Sequence, residues 1–154
     1  MSEDRIEKQI HLKAPRSRVW QALIDAESFG QWFGVRLTGT FTPGATVRGR
    51  ILHPGHDHLT LELTIEKIEP ERLFSWRWHP HAVDPAFDYS VEPTTLVTFE
   101  LQDEPGGTLL KVVESGFSAI PLARRGDAYG SNTKGWEIQM GAIDRYVTQP
   151  APAR

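Results

Sequence analysis

Apolar and polar residues recur along this 154-residue chain with a period that changes three times, and each change predicts a kind of element. Ile6, Ile10 and Leu12 share one side of a period-2 pattern, with Glu7, Gln9, His11 and Lys13 opposite, so Ile6–Lys13 is predicted as a half-buried strand. Ala14 and Pro15 break it. Pro15 suits a helix start, where its missing N–H is not needed. Val19, Trp20, Leu23 and Ile24 then follow at helical spacing through about Asp25. A second short helix is predicted over Glu27–Phe33, ended by Gly34.

From Val35 the period returns to two. Thr42-Pro43-Gly44-Ala45 reads as a tight turn with Pro and Gly at its central positions. Strands are predicted over Val47–His53 and Leu59–Ile68; in the latter, Leu59, Leu61, Leu63 and Ile65 oppose Thr60, Glu62, Thr64 and Glu66. The next strand, Arg72–His79, places Phe74, Trp76 and Trp78 on one face. Pro80–Pro93 has three prolines and no period, and reads as a loop. Thr94–Gln102 alternates again, Glu104-Pro105-Gly106-Gly107 is a hairpin turn, and Thr108–Ser115 is the last strand. Beyond Gly116, Trp136, Met140, Ile143 and Val147 stand at i, i+4, i+7 and i+11 on one helical face. Consecutive strands with hairpin-length links cannot leave an apolar face in water, and the final helix is the longest stripe able to cover it. An α+β domain with the sheet laid over that helix is expected.

Composition narrows the function. The hydrophobic share of 39% and charged share of 24% fit one globular domain, with only residues 1–4 and 149–154 reading as loose ends. Seventeen Lys and Arg against twenty Asp and Glu, with no basic run, argue against a nucleic-acid partner. The longest stretch without Asp, Glu, Lys or Arg, Leu37–Val47, is too short and polar for a membrane span. The first residues, MSEDRIEKQ, lack the apolar segment of a signal peptide, so a cytoplasmic location is expected. With no cysteine, disulfides, thiolate metal sites and Cys nucleophiles are excluded.

The run I-x-L-x-A-P-x-x-x-V-W-x-A-L over Ile10–Leu23, followed by Phe29-x-x-Trp32-Phe33-Gly34, resembles the START-like superfamily, in its branch of polyketide cyclases and Hsp90-ATPase-activator C-terminal domains. Gly107-Thr108, Glu114-Ser115-Gly116-Phe117 and Gly135-Trp136 extend the resemblance over about residues 5–147. It implies a helix-grip (Bet v 1/START-like) fold over residues 1–154: two short helices after the first strand, and a curved antiparallel sheet of six to seven strands around the C-terminal helix. It also implies a cavity between them. Members bind lipids, sterols, polyketides or hormones; a minority are enzymes and the activator branch acts as a co-chaperone.

Trp32, Phe74, Trp76, Trp78, Phe99, Trp136 and Met140 are the candidate lining for a small hydrophobic or aromatic ligand, against the alternative of simple core packing. Leu110, Val112 and Glu114 share a face that the resemblance turns inward. Glu114 is therefore a candidate acid, base or ligand anchor, or else a rim carboxylate paired with an Arg or the helix. His79 and His81 flank Pro80 near the expected cavity edge, and His81 is a second candidate for catalysis or for orienting the ligand. His53, His56 and His58 with Asp57 offer metal-binding atoms, but on an exposed turn with no distant fourth ligand, so no metal and no cofactor are expected. Arg124-Arg125-Gly126-Asp127 reads as a solvated run before the long helix, and Gly39, Gly44 and Gly49 as punctuation between strands. Three functions stay open: ligand binding, a cyclase-, aromatase- or hydrolase-like enzyme using Glu114 or a loop His, and a co-chaperone-type interaction module. Homodimerisation also stays open, with no interface marked.

Overall fold

In the computed structural model, which describes residues 4–52, 59–80, 82 and 86–149, seven antiparallel strands form one sheet. Strands β1 (Arg5–Leu12), β2 (Val35–Thr38), β3 (Thr46–Ile51), β4 (Thr60–Glu69), β5 (Leu73–Trp78), β6 (Thr95–Glu104) and β7 (Gly107–Ser115) lie in the order β1-β7-β6-β5-β4-β3-β2. Helices α1 (Arg16–Ile24) and α2 (Ala26–Phe33) carry the chain from one edge strand, β1, to the other, β2. The remaining helix, α3 (Leu122–Thr148), buries Ala128, Trp136, Met140, Ile143 and Val147 against the sheet. The helix-grip architecture and its two short helices are as the sequence predicts.

Turn chemistry ends the elements where the residues require it. Asp25 caps α2 by accepting from the Ser28 N–H at 3.0 Å, and Gly34 closes it in the left-handed conformation at φ 86°. In the β6–β7 hairpin Glu104 pairs with Gly107 across Pro105 and Gly106, with Gly106 at φ 82°. The β4 strand departs from strict alternation. Its register with β5 shifts between Ile65 and Lys67, a bulge that brings Ile68 opposite Phe74 and returns it to the inner side.

Two expectations need correction. Residues 124–127 do not precede the long helix; they lie in its first turns. The apolar period is silent there apart from Ala128, and tertiary contacts hold this end instead. Arg124 pairs with Glu92 at 2.8 Å, Arg125 donates to the Ile120 and Ser118 carbonyls, and the Tyr129 hydroxyl donates to the Arg5 carbonyl. Gly49 is not punctuation between strands but sits inside β3, where a Cβ would fall 2.1 Å from the Arg36 carbonyl oxygen. Only glycine permits that approach of β2 to β3.

Gly49→Ala is accordingly expected to lower the unfolding free energy by about 2 kcal/mol or more, within the range of strained core changes. Urea denaturation of the variant beside the wild type checks this.

Candidate ligand-binding site

The inner face of the sheet carries an aromatic layer. Period-2 alternation brings Phe74, Trp76 and Trp78 of β5 to that face, and Phe99 comes from the neighbouring β6. Helix α2 adds Phe29, Trp32 and Phe33, and α3 adds Trp136. The rings touch in a continuous set: Trp76 lies 5.5 Å from Trp78, 5.4 Å from Phe99 and 5.6 Å from Phe29 between centroids. Trp78 and Trp136 stack at 5.9 Å and 29°. Such pairs each contribute about 0.5–1.5 kcal/mol beyond area burial.

At one margin of this layer lies Glu114, wholly buried. Strand pairing sets it between Ile6 of β1 and Val97 of β6. Four side chains donate to its carboxylate. Oε1 accepts from Trp136 Nε1 at 2.8 Å and Asn132 Nδ2 at 2.9 Å; Oε2 accepts from Trp78 Nε1 at 2.7 Å and Thr95 Oγ1 at 2.6 Å. Among the described residues no cation pairs with it. Hydrogen bonds to a charged group are worth about 1.5–3 kcal/mol each. Four of them match a desolvation penalty of several kcal/mol per ion. The neutral ring of donors is therefore enough to hold a buried carboxylate. Of the alternative of a rim carboxylate paired with an Arg or the helix, the rim and the Arg are corrected here: Glu114 is interior and its partners are uncharged, two of them on α3.

Beside this ring a recess of about 90 Å³ opens between Phe33, Trp78, Asn132, Gly135, Trp136 and Gln139. Gln139 donates to the Phe33 carbonyl at 3.0 Å, fixing α3 to the end of α2 at the recess. Trp78 and Trp136 thus stand at its wall. Trp32, Phe74, Trp76, Phe99 and Met140 lie in the packed layer, and Trp32 is further held by its N–H to the Ala22 carbonyl at 2.8 Å. The Trp76 indole N–H, wholly buried, has no partner among the described residues, which costs about 1–3 kcal/mol.

His79 donates through Nε2 to the Glu92 carbonyl at 3.0 Å and so anchors the loop after β5. His81 lies outside the described residues, as do His53, His56, Asp57 and His58. Among the described residues no group of three or more His, Cys, Asp or Glu could hold a metal, and no helix is long and apolar enough to cross a membrane.

Sequence reasoning overlooked Asn132, Thr95, Phe33 and Gln139. Asn132 was within reach, because it stands four residues before Trp136 on the apolar stripe of α3. Thr95 likewise stands two residues before Val97 on the inner face of β6.

The family model for activator of Hsp90 ATPase homolog 1-like protein matches residues 13–148. The chain belongs to this family. Among solved structures, a Mesorhizobium loti protein is 24% identical, with TM-score 0.74 over 95% of this chain and 99% of that one. A protein of the dynemicin biosynthetic locus is 26% identical, with TM-score 0.71 over 94% of this chain and 47% of that one. The Aha1 dimer from Colwellia psychrerythraea, solved in solution, is 16% identical, with TM-score 0.72 over 96% of this chain and 98% of that one. No curated protein matches the chain.

Replacing Glu114 tests the donor ring. Glu114→Gln turns an amide NH2 toward donors on one side and is expected to cost about 2 kcal/mol, whereas Glu114→Leu strands all four donors and is expected to cost about 4 kcal/mol or more. Thr95→Val, which removes a single donor, should cost about 1.5 kcal/mol. Equilibrium denaturation of the three variants gives the order.

Proposed function

We propose that this domain binds a small, flat, apolar molecule at the recess between α3 and the sheet. Trp78, Trp136 and Phe33 make the first contact; Trp32, Phe74, Trp76, Phe99 and Met140 form the wall behind. The observation that carries the reading is the meeting of a continuous aromatic layer with the surface at that recess, beside a buried polar ring. Flat rings offer large contact area to a flat ligand, and Met140 is the kind of side chain that refills an irregular gap. The similar protein from the dynemicin biosynthetic locus is consistent with it.

A recess of about 90 Å³ takes in only part of such a molecule, so entry requires α3 to give way. The start of α3 is built weakly. Its cap residue, Pro121, makes no side-chain cap, and its first turns carry Arg124 and Arg125 at the positive end of the helix dipole. Gly126, Gly130 and Gly135 follow, and a Cβ added at any of them meets nothing within 4 Å. Those glycines answer no packing demand and each weakens the helix by about 1 kcal/mol relative to Ala. The carboxylate of Glu114 supports a binding role better than a catalytic one, because proton transfer would first require it to release a donor.

Native mass spectrometry of the purified protein is expected to show a discrete small-molecule adduct that leaves on denaturation. Trp78→Ala should abolish the adduct and Trp20→Phe should not. A clean mass, with no thermal shift from fused-ring aromatic compounds, would remove the reading. The double substitution Gly126→Ala with Gly130→Ala is expected to raise the unfolding free energy by about 1–2 kcal/mol and to slow ligand association. Stopped-flow quenching of tryptophan fluorescence measures the latter.

A further inference from the structure

The edge strand β2 borders a cleft of about 640 Å³, separate from the recess at Trp78 and Trp136 but sharing α2 and Phe41 with the margin of the aromatic layer. Helix α2 supplies one wall through Ala26, Glu27, Gly30 and Gln31; Leu37, Gly39 and Phe41 supply the other. The register of the edge follows from one bond. The Leu52 N–H donates to the Gly34 carbonyl at 2.9 Å, so Gly34 and Leu52 are a hydrogen-bonded pair continuing the Val35–Ile51 register. By antiparallel alternation Arg36 and Thr38 also bond inward to β3, while Val35 and Leu37 turn their backbone groups to the outer edge. The close approach of Val35 confirms the phase: a Cβ on Gly30 would meet the Val35 carbonyl oxygen at 2.2 Å. Val35 is thereby covered by α2, and Leu37 and Gly39 face the open cleft.

The outer face of the same strands carries a second feature. Arg36 and Arg50 stand directly opposite each other in the β2–β3 ladder, both exposed. Like charges in that position are destabilising. Arg48 alongside has Glu62, but among the described residues neither Arg36 nor Arg50 has an ion-pair partner. A free backbone edge and an unbalanced pair of guanidinium groups thus adjoin one cleft.

We propose that this cleft binds an extended acidic peptide segment, which adds to β2 as an eighth strand. The free N–H and C=O of Leu37 provide the ladder contacts, and acidic side chains on the outward face of the added strand neutralise Arg36 and Arg50. The inward face takes small apolar residues. It meets Ile24, Ala26 and Leu37 there, and Glu27 repels an acid on that side. A second copy of this chain fits poorly, because β2 pairing with itself would bring four arginines onto one face.

The test is fluorescence anisotropy of the full chain with a labelled octapeptide alternating Glu and Val. Saturable binding that weakens as salt rises is expected, with Leu37 and Gly39 amide signals shifting in the ¹⁵N spectrum. Arg36→Glu should weaken binding by about tenfold or more, near the worth of one good ion pair. Leu37→Pro removes an N–H that β3 does not use, and should weaken it comparably. A peptide N-methylated on its edge-facing amides probes the same bonds without altering the protein. Equal binding of the Lys and Val counterpart would overturn the proposal. So would unchanged affinity after N-methylation, which would mean a simple anion site. A stable dimer by sedimentation that occludes the Leu37 amide would assign the edge to a second copy instead.

Discussion

The structure turns on a single carboxylate. Glu114 sits on β7 in the interior, and the four donors that satisfy it come from β5, β6 and α3. Burying a carboxylate without those donors would cost several kcal/mol, a large fraction of a domain's margin of stability, so the sheet and helix are held at the distance and rotation that let the donors reach it. The two indoles that reach the carboxylate are the same ones that wall the recess, Trp78 and Trp136. Polar satisfaction thus fixes the edges of two aromatic rings that line the recess.

Around that anchor the molecule divides into a firm part and a weaker one. The sheet is paired through seven strands, and its outer face is knitted by ion pairs such as Arg77 with Glu66. The second half of α3 is equally committed, with Met140, Ile143 and Val147 buried. Its first half depends on side-chain tethers: Arg124 to Glu92, Arg125 to two carbonyls, Tyr129 to Arg5. Segments with few buried apolar contacts and costly glycines open at lower free energy than the core. In the proposed binding reading, a ligand enters beneath α3 there.

Much of this was legible in the chain. Period-2 patterning identified the inner face of β5 because Phe74, Trp76 and Trp78 alternate with polar residues. The 3.6 period identified the C-terminal stripe because Trp136, Met140, Ile143 and Val147 recur at alternating steps of four and three. Where patterning failed, a polar residue had an interior role. Asn132 continues the α3 stripe, but as an amide it reads as solvated until its acceptor is known. The β4 bulge hides in the same way, since Ile68 is out of step with Ile65 and only the pairing with β5 explains it. The start of α3 lacks a period altogether. The free edge of β2 is a property of backbone register, which no side-chain pattern records.

The indole region of a ¹H–¹⁵N spectrum, with its five tryptophan signals, tests the central account most directly. In the free protein the Trp78 and Trp136 N–H signals should be protected from exchange by their bonds to Glu114. On adding a fused-ring aromatic such as 2-naphthol, those two signals should move, and Trp20, which contacts Phe74 on the far side of the layer, should stay in place. Rapid exchange at Trp78 and Trp136, or a ligand shift at Trp20 with none at these two, would contradict it.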